Sequence, residues 1–319
     1  MKTLIIPQEI FLLERYTSIE YFEKLRNVWG EMILHLDKCL GAFMANLPPN
    51  YRNRPLPEQP DIVWGDHVIS NFRDTFKLLC DGYIKLSHGD IGGLAYASAP
   101  LSDFKGQMDF WSAWMNEQDE YHYRELLMKA VVFSGNIQRT EGAYWNPRAL
   151  SEDYNVNARG ELDPPKEWPR YRLRTDRNVK SDSPVIHAGF YIPQIEHSCA
   201  QFLSTSYPRT PQANIITGKR DLFHPTTGEK YAEEYIYEKS ACVWILVERH
   251  TDIDNENISS TMAIQEPAIR LMAGEICKNP GYYFTPAKIN SRKLFNTGNI
   301  MPTFKTDYGT VIWQWDVNQ

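Results

Sequence analysis

His187, His197 and Cys199, with Glu196 beside them, are the residues whose types and spacing come nearest to nucleophilic chemistry in this chain. A Cys–His pair needs thiol and imidazole within hydrogen-bond reach, and a nearby donor or helix N-terminus to lower the thiol pKa. Strand alternation would set positions 197 and 199 on one face, but nothing local supplies the activating group, so an inert buried cysteine is the simpler reading. A second candidate is the run Asp252-Ile253-Asp254-Asn255-Glu256-Asn257, which opens like a calcium loop. Such loops require Gly at the sixth position and Glu at the twelfth. This chain has Asn257 and Ala263 there, and a solvated acidic loop fits better. Arg170, Arg172 and Arg174 alternate with Tyr171 and Leu173. On a strand they would form either an oxyanion clamp or an edge kept soluble by charge, and the edge is preferred.

The sequence contains no GxSxG, HExxH, GxxxxGK[ST] or GxGxxG signature. Its five cysteines, Cys39, Cys80, Cys199, Cys242 and Cys277, are widely spaced and form no CxxC pair. Neither a zinc ribbon nor a redox dithiol is suggested, and a reducing compartment fits best. Cys39, Cys80 and Cys242 lie in apolar stretches and read as core. No catalytic residue, cofactor or metal ligand is assigned. Trp111 and Trp114, three apart on an expected helix, could form a partner-binding stripe, but core is the preferred reading.

The elements that would position these residues fall into two halves. Thr17 with Glu20 suggests a capping box. After it Phe22, Leu25, Trp29, Met32, Leu36, Leu40, Phe43 and Leu47 recur at steps of three and four, the face of a long helix that Pro48-Pro49 must end. Asp66 is expected to cap a second helix with the stripe Ile69, Phe72, Phe76, Leu79 and Tyr83, and Gly89, Gly92 and Gly93 to form a loop. Ser102 is expected to open a third, carrying Phe104, Met108, Trp111 and Met115. A fourth carries Leu126, Ala130, Phe133 and Ile137, with Asn116 to Glu120 either a turn between the two or part of one continuous helix. Four such stripes imply an antiparallel helical bundle over residues 1–140.

Residues 141–183 lose periodicity and accumulate prolines, yet Trp145, Trp168 and Tyr171 would be costly to leave in water, so an ordered connection packed on the surface is expected. From 184 to 319 the chain offers short β-branched and aromatic runs: 184–192, 199–204, 243–249, 281–284 and 310–315. The expected fold class is α+β, with a helical bundle packed against a mainly antiparallel, β-rich second half, in one compact unit.

A net charge of −6 argues against general nucleic-acid binding. The N-terminal apolar run is cut short by Pro7 and Glu9, so no secretory segment is expected, and no apolar stretch is long enough for a membrane span. A cytoplasmic protein is expected. Nine Trp and 18 Tyr are enough to place aromatic anchors on the surface as well as inside.

The C-terminal part is the most distinctive: Gly281-Tyr282-Tyr283-Phe284-Thr285-Pro286-Ala287, Ser291-Arg292-Lys293-Leu294-Phe295, Met301-Pro302, and Asp307-Tyr308-Gly309-Thr310-Val311-Ile312-Trp313-Gln314-Trp315-Asp316. These segments resemble the closing signature of the immunity proteins of bacterial polymorphic toxin systems, in the related families numbered seventy-one and seventy-two. Trp168-Pro169-Arg170-Tyr171-Arg172-Leu173, Gly189-Phe190-Tyr191-Ile192-Pro193 and Val247-Glu248-Arg249 fit the same resemblance less strongly. Trp often stands in that family where this chain has Tyr282 and Tyr283. The resemblance covers roughly the second half and carries no catalytic residues. The signature itself reads as architectural, with Trp313 and Trp315 on one strand face.

The resemblance implies a cytoplasmic partner that neutralises a secreted toxin, commonly one delivered by type VI secretion, through stoichiometric tight binding that occludes the toxin's active site. Anionic patches would speed capture of a basic toxin. The candidates are Glu117, Asp119 and Glu120 at the helix turn, and Asp252, Asp254 and Glu256 after a strand. The alternative is an enzyme, a hydrolase or modification-reversing antitoxin drawing on His187, His197, His224, His250 and Glu248. A carbohydrate- or peptide-binding module using exposed aromatics ranks third.

Overall fold

The computed structural model describes residues 4–206, 208–250, 269–285, 288, 291–304 and 311–316. Helices occupy the chain up to residue 141, and antiparallel strands dominate the remainder, giving an α+β fold. The helices are α1 (Pro7–Thr17), α2 (Ile19–Ala45), α3 (Ile69–Ser87), α4 (Ala99–Gln107), α5 (Glu117–Glu141) and the short α6 (Val156–Arg159). No helix among the described residues is long and apolar enough to cross a membrane.

α1 was not expected from the sequence. Pro7 sits at its start, where the missing N–H is no loss, and the helix buries Ile10, Leu12, Leu13 and Tyr16. The break before α2 is capped by Ser18, whose hydroxyl accepts the Tyr21 N–H at 3.2 Å. Thr17, the expected cap, instead donates back to the Leu13 carbonyl. α2 ends at Ala45, just ahead of Pro48-Pro49, and buries Phe22, Leu25, Trp29, Met32 and Leu36; Leu47 lies beyond it and is exposed. A wide π-type helical segment, Asp61–Val68, runs directly into α3, so Asp66 lies inside a helical stretch and caps nothing. The glycines at 92 and 93 belong to a 3-10 helix, Ile91–Ser98, capped by the Asp90 carboxylate.

α4 begins at Ala99, earlier than Ser102, and ends at Gln107. Trp111 and Met115 therefore do not continue its stripe. α5 carries the expected Leu126, Ala130 and Ile137 inside, and packs against α2.

The strands are β1 (Tyr171–Lys180), β2 (Gly189–Pro193), β3 (Gln201–Leu203), β4 (Ala213–Phe223), β5 (Lys230–Ser240), β6 (Val243–Arg249), β7 (Arg270–Met272), β8 (Gly281–Phe284), β9 (Lys293–Phe295) and β10 (Ile312–Trp315). They form one sheet in the order β1-β6-β2-β3, a second in the order β7-β10-β8-β9, and the separate hairpin β4-β5. β1 lies within the segment expected to be a connection. Trp145 is buried, and Trp168 packs edge-on against Phe11 with ring centroids 5.5 Å apart.

The main core joins the helices to the first sheet, with Ile192, Cys199, Ala200, Phe202 and Val247 in contact with helical residues. The second sheet closes over its own core of Cys277, Tyr283, Phe295, Met301, Val311 and Trp313. Tyr283 meets Trp315 edge-on at 5.3 Å, and Phe295 meets Trp313 at 5.1 Å. The distinctive C-terminal aromatics thus fill an interior. Pro286, Ala287 and Asp307 to Thr310 lie outside the described residues.

Candidate functional site

The surface where α4 hands over to α5 gathers more exposed apolar side chains than a solvated turn needs. Met108, Phe110, Trp111, Tyr121 and Met128 are all exposed there. Such residues scattered singly need no explanation, but a cluster beside a concavity marks a contact site. Phe104, Met108, Phe110, Tyr123, Leu127 and Met128 line a cavity of about 330 Å³ at this place.

The turn between the helices is braced from several sides. Trp64 donates its indole N–H to the Trp111 backbone carbonyl at 2.8 Å, fixing the chain while leaving the Trp111 ring 47% exposed. Trp114 turns inward, 7% exposed, with its ring edge-on to Trp64 at 5.5 Å. The two tryptophans therefore divide: one is core and the other is surface. Ser112 donates to Glu120 at 2.6 Å, and Arg124 donates to the same carboxylate at 2.7 Å. Tyr123 donates to Gln107 at 2.9 Å.

The three acidic candidates here behave differently. Glu120 is held by Ser112 and Arg124, which together keep its carboxyl below the ordinary range. Asp119 forms the end of a helix cap: the Asn116 side chain accepts the Asp119 N–H at 2.9 Å and donates back to its carboxylate. Glu117 is exposed, and among the described residues it has no ion pair or side-chain hydrogen bond. Of the three, Glu117 is the free negative charge. Asp252, Asp254 and Glu256 lie outside the described residues.

The other sequence candidates are dispersed. Cys199 is buried, donates to the Trp145 carbonyl at 3.4 Å, and has its thiol pushed well up by burial. His197 sits exposed in a left-handed turn, with φ of 59°. His187 and His250 are exposed as well, and His224 accepts backbone N–H groups in the loop that joins β4 to β5. β1 is an edge strand, and Glu248 on β6 takes up Arg174 at 2.8 Å and Arg172 at 3.6 Å, in keeping with charge that decorates an edge.

Two further features escaped sequence reasoning. A larger cavity of about 700 Å³ opens between the α1–α2 corner, α5 and α6, lined by Tyr16, Tyr21, Phe133 and Arg159 among others. Charged groups line it too, among them Lys129 and Glu125, which pair along α5 at 3.3 Å. The second feature is a cluster of His35, Cys39 and Asp119, whose donor atoms lie within 4.8 Å of one another. His35 and Cys39 come from one face of α2 and Asp119 from the first turn of α5, 84 positions after His35, so their sequence spacing carries no signal. Comparison with protein-family models, with curated proteins and with solved structures finds no match to this chain.

Proposed function

We propose that this chain is an immunity protein, which neutralises a cognate bacterial toxin by stoichiometric binding, and that the α4–α5 turn is its contact surface. The observation that supports this reading is the exposed Trp111 ring, held on a braced turn whose neighbours Phe110 and Ser112 line a cavity, with Glu117, which has no ion pair among the described residues, close in sequence. Tight inhibitory interfaces bury about 1,200–2,000 Å² and draw most of their energy from a few aromatic or Arg anchors. Bracing matters because a side chain ordered before binding loses less entropy on binding. The aromatics and methionines around the cavity supply apolar area, and Glu117 supplies attraction toward a basic toxin surface. The resemblance of the C-terminal segments to polymorphic-toxin immunity proteins points to the same class. Its toxin would be a secreted one, delivered by type VI secretion or a similar route, and its binding would occlude the toxin's active site in the cytoplasm.

The test is binding and protection against the toxin domain encoded beside this chain's gene. The unaltered chain should form a 1:1 complex and abolish toxicity. Trp111→Ala should weaken binding by about 2 kcal/mol, the scale of an interface anchor. Glu117→Lys should slow association and flatten its dependence on salt. A complex whose affinity and association rate are unmoved by both changes would exclude this surface. Absence of any complex, or turnover of a substrate by the purified chain, would exclude the class.

A further inference from the structure

We propose that His35, Cys39 and Asp119 form a binding site for one divalent transition-metal ion of the zinc class, clamping α2 to the start of α5. The inference is independent of the proposed toxin contact and rests on geometry. Cys39 Sγ lies 3.5 Å from His35 Nε2, and His35 Nε2 lies 3.9 Å from Asp119 Oδ1. A tetrahedral ion with bonds of about 2.3 Å to sulfur and about 2.0–2.1 Å to nitrogen and oxygen separates its ligands by roughly 3.3–3.6 Å. The three donor atoms lie within 4.8 Å of one another, so side-chain rotation must draw the widest pair in by roughly 1 Å.

The donor set selects the ion. Calcium and magnesium take oxygen ligands, whereas a thiolate, an imidazole and a carboxylate together suit zinc and its borderline neighbours. One thiolate and one carboxylate balance the charge of a divalent ion. Positions 35 and 39 are one helical turn apart on α2, so both point the same way. The Asp119 carboxylate already accepts from the Asn116 side-chain amide at 2.5 Å, which limits the entropy lost on ligation. Cys39 is buried and the His35 side chain is 13% exposed, while that of Asp119 is 40% exposed, so the site has a sheltered floor and an entrance. His122, one turn after Asp119 on α5, packs its ring edge-on against His35 with centroids 4.8 Å apart. His122 is not one of the clustered donors, and water would fill the fourth position.

In the chain alone, His35 Nε2 is 2.9 Å from the Asp119 backbone carbonyl, to which an Nε2–H donates. Ligation requires that proton to reside on Nδ1 and the thiol proton to leave to solvent. The ion thus replaces the Nε2–H bond to the Asp119 carbonyl, the Cys39–His35 contact and one thiol proton with three coordinate bonds. Bundle interiors build metal sites in this way, from side chains on facing helices.

The experiment is titration of the metal-stripped full chain, under reducing conditions, with cobalt(II) and then zinc. One cobalt per chain should bind, with a near-ultraviolet thiolate charge-transfer band and the intense visible bands of four-coordinate cobalt, and zinc should displace it. Cys39→Ser should lose the charge-transfer band, while Cys80→Ser should keep it. His35→Ala and Asp119→Asn should weaken binding by about 100-fold or more, beyond the 10–100-fold typical of residues that only support a ligand. Zinc should raise the Tm of the unaltered chain but not that of Cys39→Ser. Asp119 is exposed enough that Asp119→Asn reads binding even if changes at Cys39 disturb folding. Absence of a charge-transfer band, or an affinity unchanged in Cys39→Ser and Asp119→Asn, would overturn the assignment.

Discussion

The carboxylate of Glu9, in the first turn of α1, accepts the backbone N–H of Ala200, 191 positions away in the chain, at 3.1 Å. Its other oxygen accepts the Ser151 hydroxyl at 2.9 Å, and the residue is 3% exposed. One side chain therefore ties the first helix to the approach of β3 and to the segment between them. Glu14, a turn and a half further on, extends the connection by accepting from Arg249 at 2.7 Å and from Tyr171 at 2.8 Å.

Burial raises the Glu9 pKa above its ordinary value, against the opposing hydrogen bonds from Ala200 and Ser151. The folded chain therefore holds this proton more tightly than the unfolded chain does. Its contribution to stability grows as pH falls through the elevated folded pKa and levels off below the ordinary carboxylate value. Glu9→Gln can keep both partners, with its amide oxygen on the Ala200 N–H and its NH2 on Ser151. It should fold and lack that pH-dependent increment. Glu9→Ala leaves the Ala200 N–H buried without a partner and should cost about 1–3 kcal/mol. Urea unfolding of the three proteins across the acidic-to-neutral range checks both expectations; identical pH profiles for the unaltered chain and Glu9→Gln would refute the first.

A second contact depends on the absence of side chains. Gly82 of α3 and Gly93 of the 3-10 helix meet backbone to backbone. A methyl added at Gly82 would lie 2.9 Å from the Gly93 carbonyl oxygen and 2.7 Å from the Phe22 ring, and one at Gly93 would strike the Gly82 carbonyl. Neither backbone can yield as a flexible side-chain tip would. Gly82→Ala and Gly93→Ala should each cost about 1–3 kcal/mol, the scale of overpacking, although alanine is the better helix former. Denaturant unfolding of each variant measures the cost. Gly106→Ala, on α4 with open space around its Cβ position, serves as the control and should be neutral or slightly stabilising.

How much of the fold was legible in the sequence depends on how local each signal is. α2 and α5 could be read because their apolar positions repeat at three and four, and a proline pair marks the end of α2; Asn116 to Glu120, read as a turn or as part of one continuous helix, instead form the cap and first turn of α5. α1 was hidden because Pro7 and Glu9 look like interruptions. In the fold the proline starts the helix and the glutamate is buried by partners about 140 and 190 positions away. The β4-β5 hairpin gave no alternating pattern, since runs such as Lys219-Arg220-Asp221 and Glu233-Glu234 leave both its faces largely polar and exposed. It is held by cross-strand pairs such as Arg220 with Glu234. In the candidate site, Glu117, Asp119 and Glu120 were visible as charges. Which of them is free could not be seen, because their partners Ser112, Asn116, Arg124 and His35 are set by how the turn folds.

Trp111 and Trp114 provide the sharpest check on the surface assignment, because three-residue spacing would place them on one helical face and the structure separates them. Trp114 packs against Trp64 and Phe43, and its indole N–H is buried without a hydrogen-bond partner among the described residues. Trp114→Ala should cost about 3–5 kcal/mol, as emptying a core tryptophan site does. Trp114→Phe keeps a ring and removes the orphan donor, whose burial alone costs about 1–3 kcal/mol, so it should remain close to the parent in stability. Trp111→Ala removes an exposed ring while preserving the backbone carbonyl that Trp64 uses. It should change stability by no more than about 0.5 kcal/mol. Denaturant midpoints of the three variants decide the matter. If Trp111→Ala destabilises the chain as much as Trp114→Ala, the Trp111 ring belongs to the core and is not available to any partner. If it leaves stability intact, any loss of binding it causes can be assigned to the interface itself.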